Sequence, residues 1–471
     1  MGGAVLSLVG AVAILATFAG GAGAAPPTTD GPTAAGYGAA WLADRLDEQI
    51  PMENFGSPDW GVTLDAALGM AAVGAGGAQV DSVWSALVAD RDAALSPGGV
   101  ESPGRLARAI LLAGATGADP RAVGDAPGAD LVARLEAIRQ TDGPDAGLFG
   151  DQNPTYDGAF RQGYSIAALV AVGVTPDPSS VDWLLAQQCG PEADPGAWMP
   201  YRTDLSTPCA ADSALFVGPD TNATAAAITG LTAVSAGSDA IEAGLNWLDG
   251  VQEADGGWGQ MVGYGTDPNS TALVLQALIA AGDSDATRFA DRAATPLAAL
   301  LAFQLGCDAP DFDRGAFTFP GSNDAPNGFA TAQAVAPAAG AGVLAESGPI
   351  DPGVTPLNCD SPTTSTTTTV APTTVAPTTV APTTVAPTTV APTSTVPTGA
   401  AAVPVSAAPQ VAGRSQSATP APASGSASAS SSGTANLART GAPGAPLATL
   451  GGLAVVAGLI LIAGSRRRNE A

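Results

Sequence analysis

Between residues 34 and 345 the chain repeats itself with a period of roughly 50 to 60 residues, the mark of an array built from one small unit. Each unit has the same order of parts. A first stretch carries Trp-Leu or paired Leu and ends near a Gln, a Gly-rich loop with an aromatic residue follows, and an Ala-rich stretch closes on Gly. The clearest copy reads IEAGLNWLDGVQEADGGWGQMVGYGTDPNSTALVLQALIAAGDSD. Others echo it, among them VDWLLAQQ followed by GAW and NATAAAITGLTAVSAG, and LAALLAFQ followed by GAF and GFATAQAVAPAAG, for a total of about six units. The spacing of the first stretches predicts amphipathic helices with one wet face. The second stretches, apolar on nearly every side, predict helices buried by their neighbours. Such hairpins close into a double ring, so the expected class is all-α. Trp41, Trp183 and Trp247 precede Leu on helix faces and are expected in the core. Asp220 with Asn222, and Asp267 with Asn269, stand where N-caps of inner helices belong.

One unit carries Gln252-x-x-x-Gly256-x-Trp258, which resembles the repeat motif of the squalene and oxidosqualene cyclases. Other units carry it with insertions and with Phe149, Trp198 or Phe317 as the aromatic. The resemblance implies an α/α toroid of about six helical hairpins, the fold shared by terpene cyclases, protein prenyltransferase β-subunits, cobalamin carriers and the thioester domains of complement-like proteins. It also implies that the Gln bonds to backbone with the indole stacked on it, tying neighbouring outer helices. It supplies no activity. Asp311-Phe312-Asp313-Arg314, the nearest match to the cyclase Asp-x-Asp-Asp acid, lacks the last carboxylate; a prenyltransferase zinc site needs His; and the thioester motif is replaced by LGCDAP.

Composition narrows the chemistry further. The formal charge is -26, spread over loops and helix faces, which argues against a nucleic-acid partner. All 17 basic side chains are Arg, and the chain holds neither Lys nor His, so imidazole bases and ligands and lysine nucleophiles are excluded. The 4 cysteines suit an oxidising compartment. Of the three pairings open to them, the local one joins Cys189 to Cys209 across an inserted loop, and Cys307 to Cys359 across the connector of residues 346–360.

Both ends read as export and anchoring signals. Residues 1–24 give an apolar segment ending in small residues, with cleavage expected near Ala24. Residues 361–436 repeat Thr-Thr-Val-Ala-Pro and then turn Ser- and Ala-rich, a composition that predicts a disordered, extended stalk. Leu437, Ala438, Arg439, Thr440 and Gly441 resemble the Leu-Ala-x-Thr-Gly sorting signal of high-GC Gram-positive bacteria. An apolar span at 447–463 and a basic tail at 464–471 follow in the order such signals take. The resemblance implies that a housekeeping sortase cleaves after Thr440 and joins the chain to a cell-wall precursor, following transient membrane insertion by the span. Without sorting, the same span would leave the chain membrane-anchored.

These readings predict a wall-anchored, non-catalytic binding or adhesion domain held out on a stalk. Its expected ligand residues are Tyr156, Asp157, Trp198, Tyr201, Trp258, Asn269 and Phe317, facing a small hydrophobic, cobalamin-like or glycan ligand, or a surface partner. The alternative is a surface glycoside hydrolase or lyase using carboxylates among Asp151, Asp157, Glu253 and Asp255. A structural or pilus-tip subunit is the third class. No cofactor is required; Asp308, Asp311 and Asp313 are the candidate ligands for a calcium ion.

Overall fold

The computed structural model describes residues 28–124, 129–150, 157–211, 217–283, 287–289, 292–342, 344 and 348–359. All of them belong to one of two units into which the chain divides, the other being residues 363–444. The expected signal peptide, stalk, sorting motif, apolar span and basic tail lie outside the described residues, as do Tyr156 and Asp151. Among the described residues no helix is long and apolar enough to cross a membrane.

Among the described residues the regular structure is helical apart from one two-stranded ribbon, β1 (Glu53–Asn54) with β2 (Ser57–Pro58). Helices alternate between a wetter and a buried type. The first type comprises α1 (Gly31–Glu48), α3 (Gly77–Ala89) with its continuation α4 (Arg91–Leu95), α6 (Leu131–Ala137), α8 (Pro178–Ala186), α10 (Ser238–Gly250) and α12 (Pro296–Leu301). The second comprises α2 (Trp60–Ala72), α5 (Pro103–Thr116), α7 (Gly158–Ala171), α9 (Thr221–Ala233), α11 (Pro268–Ala281) and α13 (Gly328–Ala338). These buried helices pack in a closed cycle, α2 on α5, α5 on α7, α7 on α9, α9 on α11, α11 on α13 and α13 back on α2. Helix α1 starts at Gly31, ahead of the expected 34, because Asp30 caps it and Pro32 fits its first turn.

Local chemistry explains where four of the inner helices begin. Asp59, Asp220, Asp267 and Asn327 each accept a backbone N–H in the first turn of α2, α9, α11 and α13. Four residues further on stands a Thr. The hydroxyls of Thr63, Thr224, Thr271 and Thr331 accept N–H groups from Met52, Trp198, Trp258 and Phe317 at 2.8 to 3.0 Å. These four inner helices thereby hold the loops that lead into them.

The loops in turn hold the next hairpin. Gln252 Nε2 donates to the Gly256 carbonyl at 2.7 Å, and the Trp258 indole N–H donates to Leu248 O at 2.8 Å. Gly256 has a φ of +94°, and a Cβ there would lie 2.2 Å from Ala294 O, just before α12. The pattern recurs at Gly147 against Ser179 and at Gly196 against Ala243. Gly315 closes the circle, since a Cβ there would lie 2.6 Å from Tyr37 O in α1. Outer-helix indoles add a second tie: Trp183 donates to Asp145, Trp247 to Asp194 and Trp41 to Phe312 O, each across a seam to the preceding loop. All three are buried, as expected for core residues.

Two disulfides are present, Cys189–Cys209 and Cys307–Cys359, the local pairing. Replacing Gly256 by Ala adds both a left-handed strain of about 1 to 2 kcal/mol and a backbone clash. Chemical denaturation should show a loss above about 3 kcal/mol. Gly263→Ala, also at positive φ but with nothing within 4 Å of its Cβ, should show the strain alone.

Candidate functional site

The inner helices are apolar runs interrupted once or twice by a polar residue, and the interruptions meet. Asp65 lies six residues after its cap Asp59, Arg108 six after Ser102, and Gln333 six after Asn327, so the three sit about 9 Å down their helices at one depth. Arg108 Nε donates to Asp65 Oδ1 at 2.5 Å, with the two side chains 12% and 11% exposed. Its guanidinium lies 5.7 Å from the Tyr164 ring centroid and 5.9 Å from that of Phe160. Tyr164 donates its hydroxyl to Gln276 Oε1 at 3.1 Å across the ring. Gln276 reaches the Gln333 carbonyl at 3.3 Å, and Asn269 Nδ2 donates to Gln333 Oε1 at 2.8 Å. Five of the inner helices, all except α9, thus contribute to one polar layer.

Burial sets the electrostatics of this layer. Burial pushes the Asp65 carboxyl up, opposed by Arg108 and by the Gln333 side chain. Burial works against the Arg108 charge too, and Asp65 more than restores it. The Tyr164 phenol is pushed well up by burial and by the Asp65 charge. The layer therefore sets the Asp65–Arg108 pair among amides and a phenol, each held by a buried partner. Beside it lies a cavity of about 20 Å³ lined by Asp65, Gly69, Tyr164, Gln276 and Gln333. That volume holds about one water, whereas a site that encloses a drug-sized ligand needs roughly 300 Å³ or more.

Nearer the helix starts stand two further carboxylates, the buried Asp220 and the half-buried Asp267. Asp220 accepts from Ala223 N at 2.8 Å and from Gln260 Nε2 at 2.9 Å. Asp267 accepts from Ser270 N at 2.8 Å and from Ser270 Oγ at 2.7 Å. Burial is the largest cause raising each carboxyl, to about 6.

The expected ligand residues do not gather. Trp198, Trp258 and Phe317 are fully enclosed and present no surface to a ligand; their backbone and indole N–H groups serve the hairpin junctions. Tyr201 stacks on Trp183 and donates to Asp145, on the side of an outer helix. Asp157 stands half exposed, 3.8 Å from Arg161. Asn269 alone joins the central layer. Asp255 accepts from Gly257 N and Thr266 within its own loop. Among the described residues no three acidic, thiol or imidazole groups gather as a metal site needs, and Asp311 pairs with Arg314 at 2.8 Å. Asp65, Arg108, Tyr164, Gln276 and Gln333 escaped the sequence reading, although Asp65, Arg108 and Gln333 each stand six residues after a cap.

No protein-family model matches the chain, and no curated protein matches it. Among solved structures with a similar backbone is a protein from Actinoplanes, 18% identical, with 66% of this chain and 98% of that chain covered at a TM-score of 0.42.

Arg108→Met leaves Asp65 buried without its partner and should cost about 3 to 5 kcal/mol in denaturant titrations, most of it recovered when Asp65→Leu is added. For Asp220 the folded carboxyl keeps its proton to a higher pH than the usual 3.8, so its favourable contribution is complete in acid and lost as pH rises through about 6. Asp220→Asn keeps an acceptor for the helix start without the charge. Its stability relative to the parent should improve between pH 4.5 and 7.5 by up to about 3 kcal/mol, read from melting at the two pH values.

Proposed function

We propose that the chain is an exported surface protein whose α/α toroid binds a glycan or partner surface and does not turn over an enclosed substrate. The supporting observation is the ring centre. Its cavity of about 20 Å³ admits a water and excludes an isoprenoid or a cobalamin, so recognition falls to the surface. The exposed large apolar side chains among the described residues are Phe55, Val100, Leu205, Val262, Tyr264 and Phe312. Every one lies in a connection that runs from an outer helix into an inner helix. The connections that run back outward carry none of them.

A hydrolase with paired carboxylates has less support. Asp220 and Asp267 each spend both oxygens on caps and loop bonds, and Asp255 is held within its own turn. The two disulfides suit an extracellular setting. In this reading the sorting signal at 437–441 delivers the domain to the cell wall on its Thr/Pro stalk, with a sortase and a wall precursor as partners in assembly.

The binding reading is tested by glycan arrays and whole-cell adhesion, comparing the parent with Phe55→Ser/Tyr264→Ser. Binding in the parent that falls at least tenfold in the variant supports it; equal binding by both, or none by the parent, overturns it. The address is tested by mass spectrometry of wall digests. A mature C-terminus at Thr440 linked to wall peptide is expected, and an intact 447–463 span in the wall fraction overturns it.

A further inference from the structure

The seams between successive hairpins are not equally built. From the third hairpin onward each is gripped by a glycine and aromatic loop seated on the next outer helix, and the last grips the first through Gly315 and Tyr37. Between the second and third hairpins an arginine substitutes: Arg134 reaches Glu101, Asp92 and Ser96 at 2.8 to 3.1 Å. Between the first and second, the outer helices α1 and α3 are joined by the half-buried Gln79, whose amide donates to Asp47 at 3.0 and 3.2 Å. Over this seam lies the segment that follows α13. Asp351 N donates to Gly74 O at 2.9 Å, Gly76 N to Gly353 O at 3.0 Å and Gly77 N to Asp351 O at 2.8 Å, in a short parallel bridge along the α2–α3 turn. Ile350 and Val354 pack against the core beside it. The far end of the segment is fixed by Cys359 to Cys307, in the loop after α12.

We infer that residues 349–359 are a redox-releasable strap that braces the seam between the first two hairpins, with Cys307–Cys359 as its catch. The two disulfides differ in access. Cys189 and Cys209 are 4% and 5% exposed, while Cys307 is open to solvent and Cys359 is half-buried. Exchange requires a thiolate to reach a sulfur, so an external dithiol meets Cys307 first. Its thiolate bonds to Cys307 Sγ and Cys359 leaves as thiolate, taking up a proton from water. The second thiol of the reductant then displaces Cys307, so the reductant ends as a disulfide and both cysteines as thiols. Once released, the mostly exposed strap keeps its turn by the bridge and by Ile350 and Val354, without a covalent hold on its far side. It frays, and the α2–α3 turn loses its cover.

The test uses the full chain treated with graded dithiothreitol, with alkylation of freed thiols and hydrogen exchange both read by mass spectrometry. Cys307 and Cys359 should become alkylated at reductant concentrations at least tenfold below those that free Cys189 and Cys209. Over that interval exchange should quicken at residues 74–80 and 349–354 and stay unchanged around 189–209. Simultaneous opening of both disulfides, or an α2–α3 turn whose protection does not change, overturns the inference. The Cys307→Ser/Cys359→Ser chain should show the same local exchange without reductant, and unaltered protection there refutes the strap even if reduction is selective. These readouts are independent of whether the chain is sorted to a wall or binds a glycan.

Discussion

Backbone meets backbone where one hairpin grips the next, and the ring exists because nothing intervenes. At Gly256 and Gly315 the loop passes so near a carbonyl just before or within the following outer helix that a single methyl group would occupy the same space. The close approach lets the neighbouring Gln and aromatic side chains reach main-chain groups at hydrogen-bond distance, and it satisfies polar groups that burial would otherwise leave costly. A ring is also less forgiving than an open array. Each seam must hold the angle that lets the last hairpin meet the first, so the contact of Gly315 with α1 depends on every seam before it.

Inside that frame the Asp65–Arg108 pair occupies a place where an apolar pair would pack as well. Buried ion pairs roughly break even against hydrophobic substitutes, so this one adds little to stability beyond what its loss would subtract. What it does is fix geometry. The guanidinium binds a carboxylate on α2 while lying against the rings of Phe160 and Tyr164 on α7, so three neighbouring helices acquire one register at one depth. Tyr164 then carries that register across to Gln276 on α11.

Most of the frame was legible in the letters. The alternation of amphipathic and apolar stretches reflects a local periodicity, and periodicity survives in sequence because each helix solves its own burial problem. The capping roles of Asp220 and Asp267 are local as well, and so is the pairing of Cys189 with Cys209 across their own loop. The central layer was not legible for the opposite reason. Asp65, Tyr164, Gln276 and Gln333 come from different hairpins, and only ring closure makes them neighbours. The aromatic residues erred the other way: Trp198, Trp258 and Phe317 sit in Gly-rich loops, which suggests an exposed tip, yet the glycines are there to let those loops sink against the next helix. For Asp65, Arg108 and Gln333 the sequence signal was positional, the sixth residue after a cap; Tyr164 and Gln276 follow no such spacing.

The Cys307–Cys359 bond also determines how the folded ring would meet a mechanical pull. Any tension arriving along the chain from beyond residue 359 passes through the disulfide to Cys307, because the 52 residues of sequence separation between them form a closed covalent loop. Helix α13 lies inside that loop and carries none of the force. The helix that completes the inner cycle is therefore mechanically silent, and the force enters instead beside the loop that is seated on α1. A ring pulled in this way is drawn at Cys307, with the chain between the two cysteines bypassed by the covalent path.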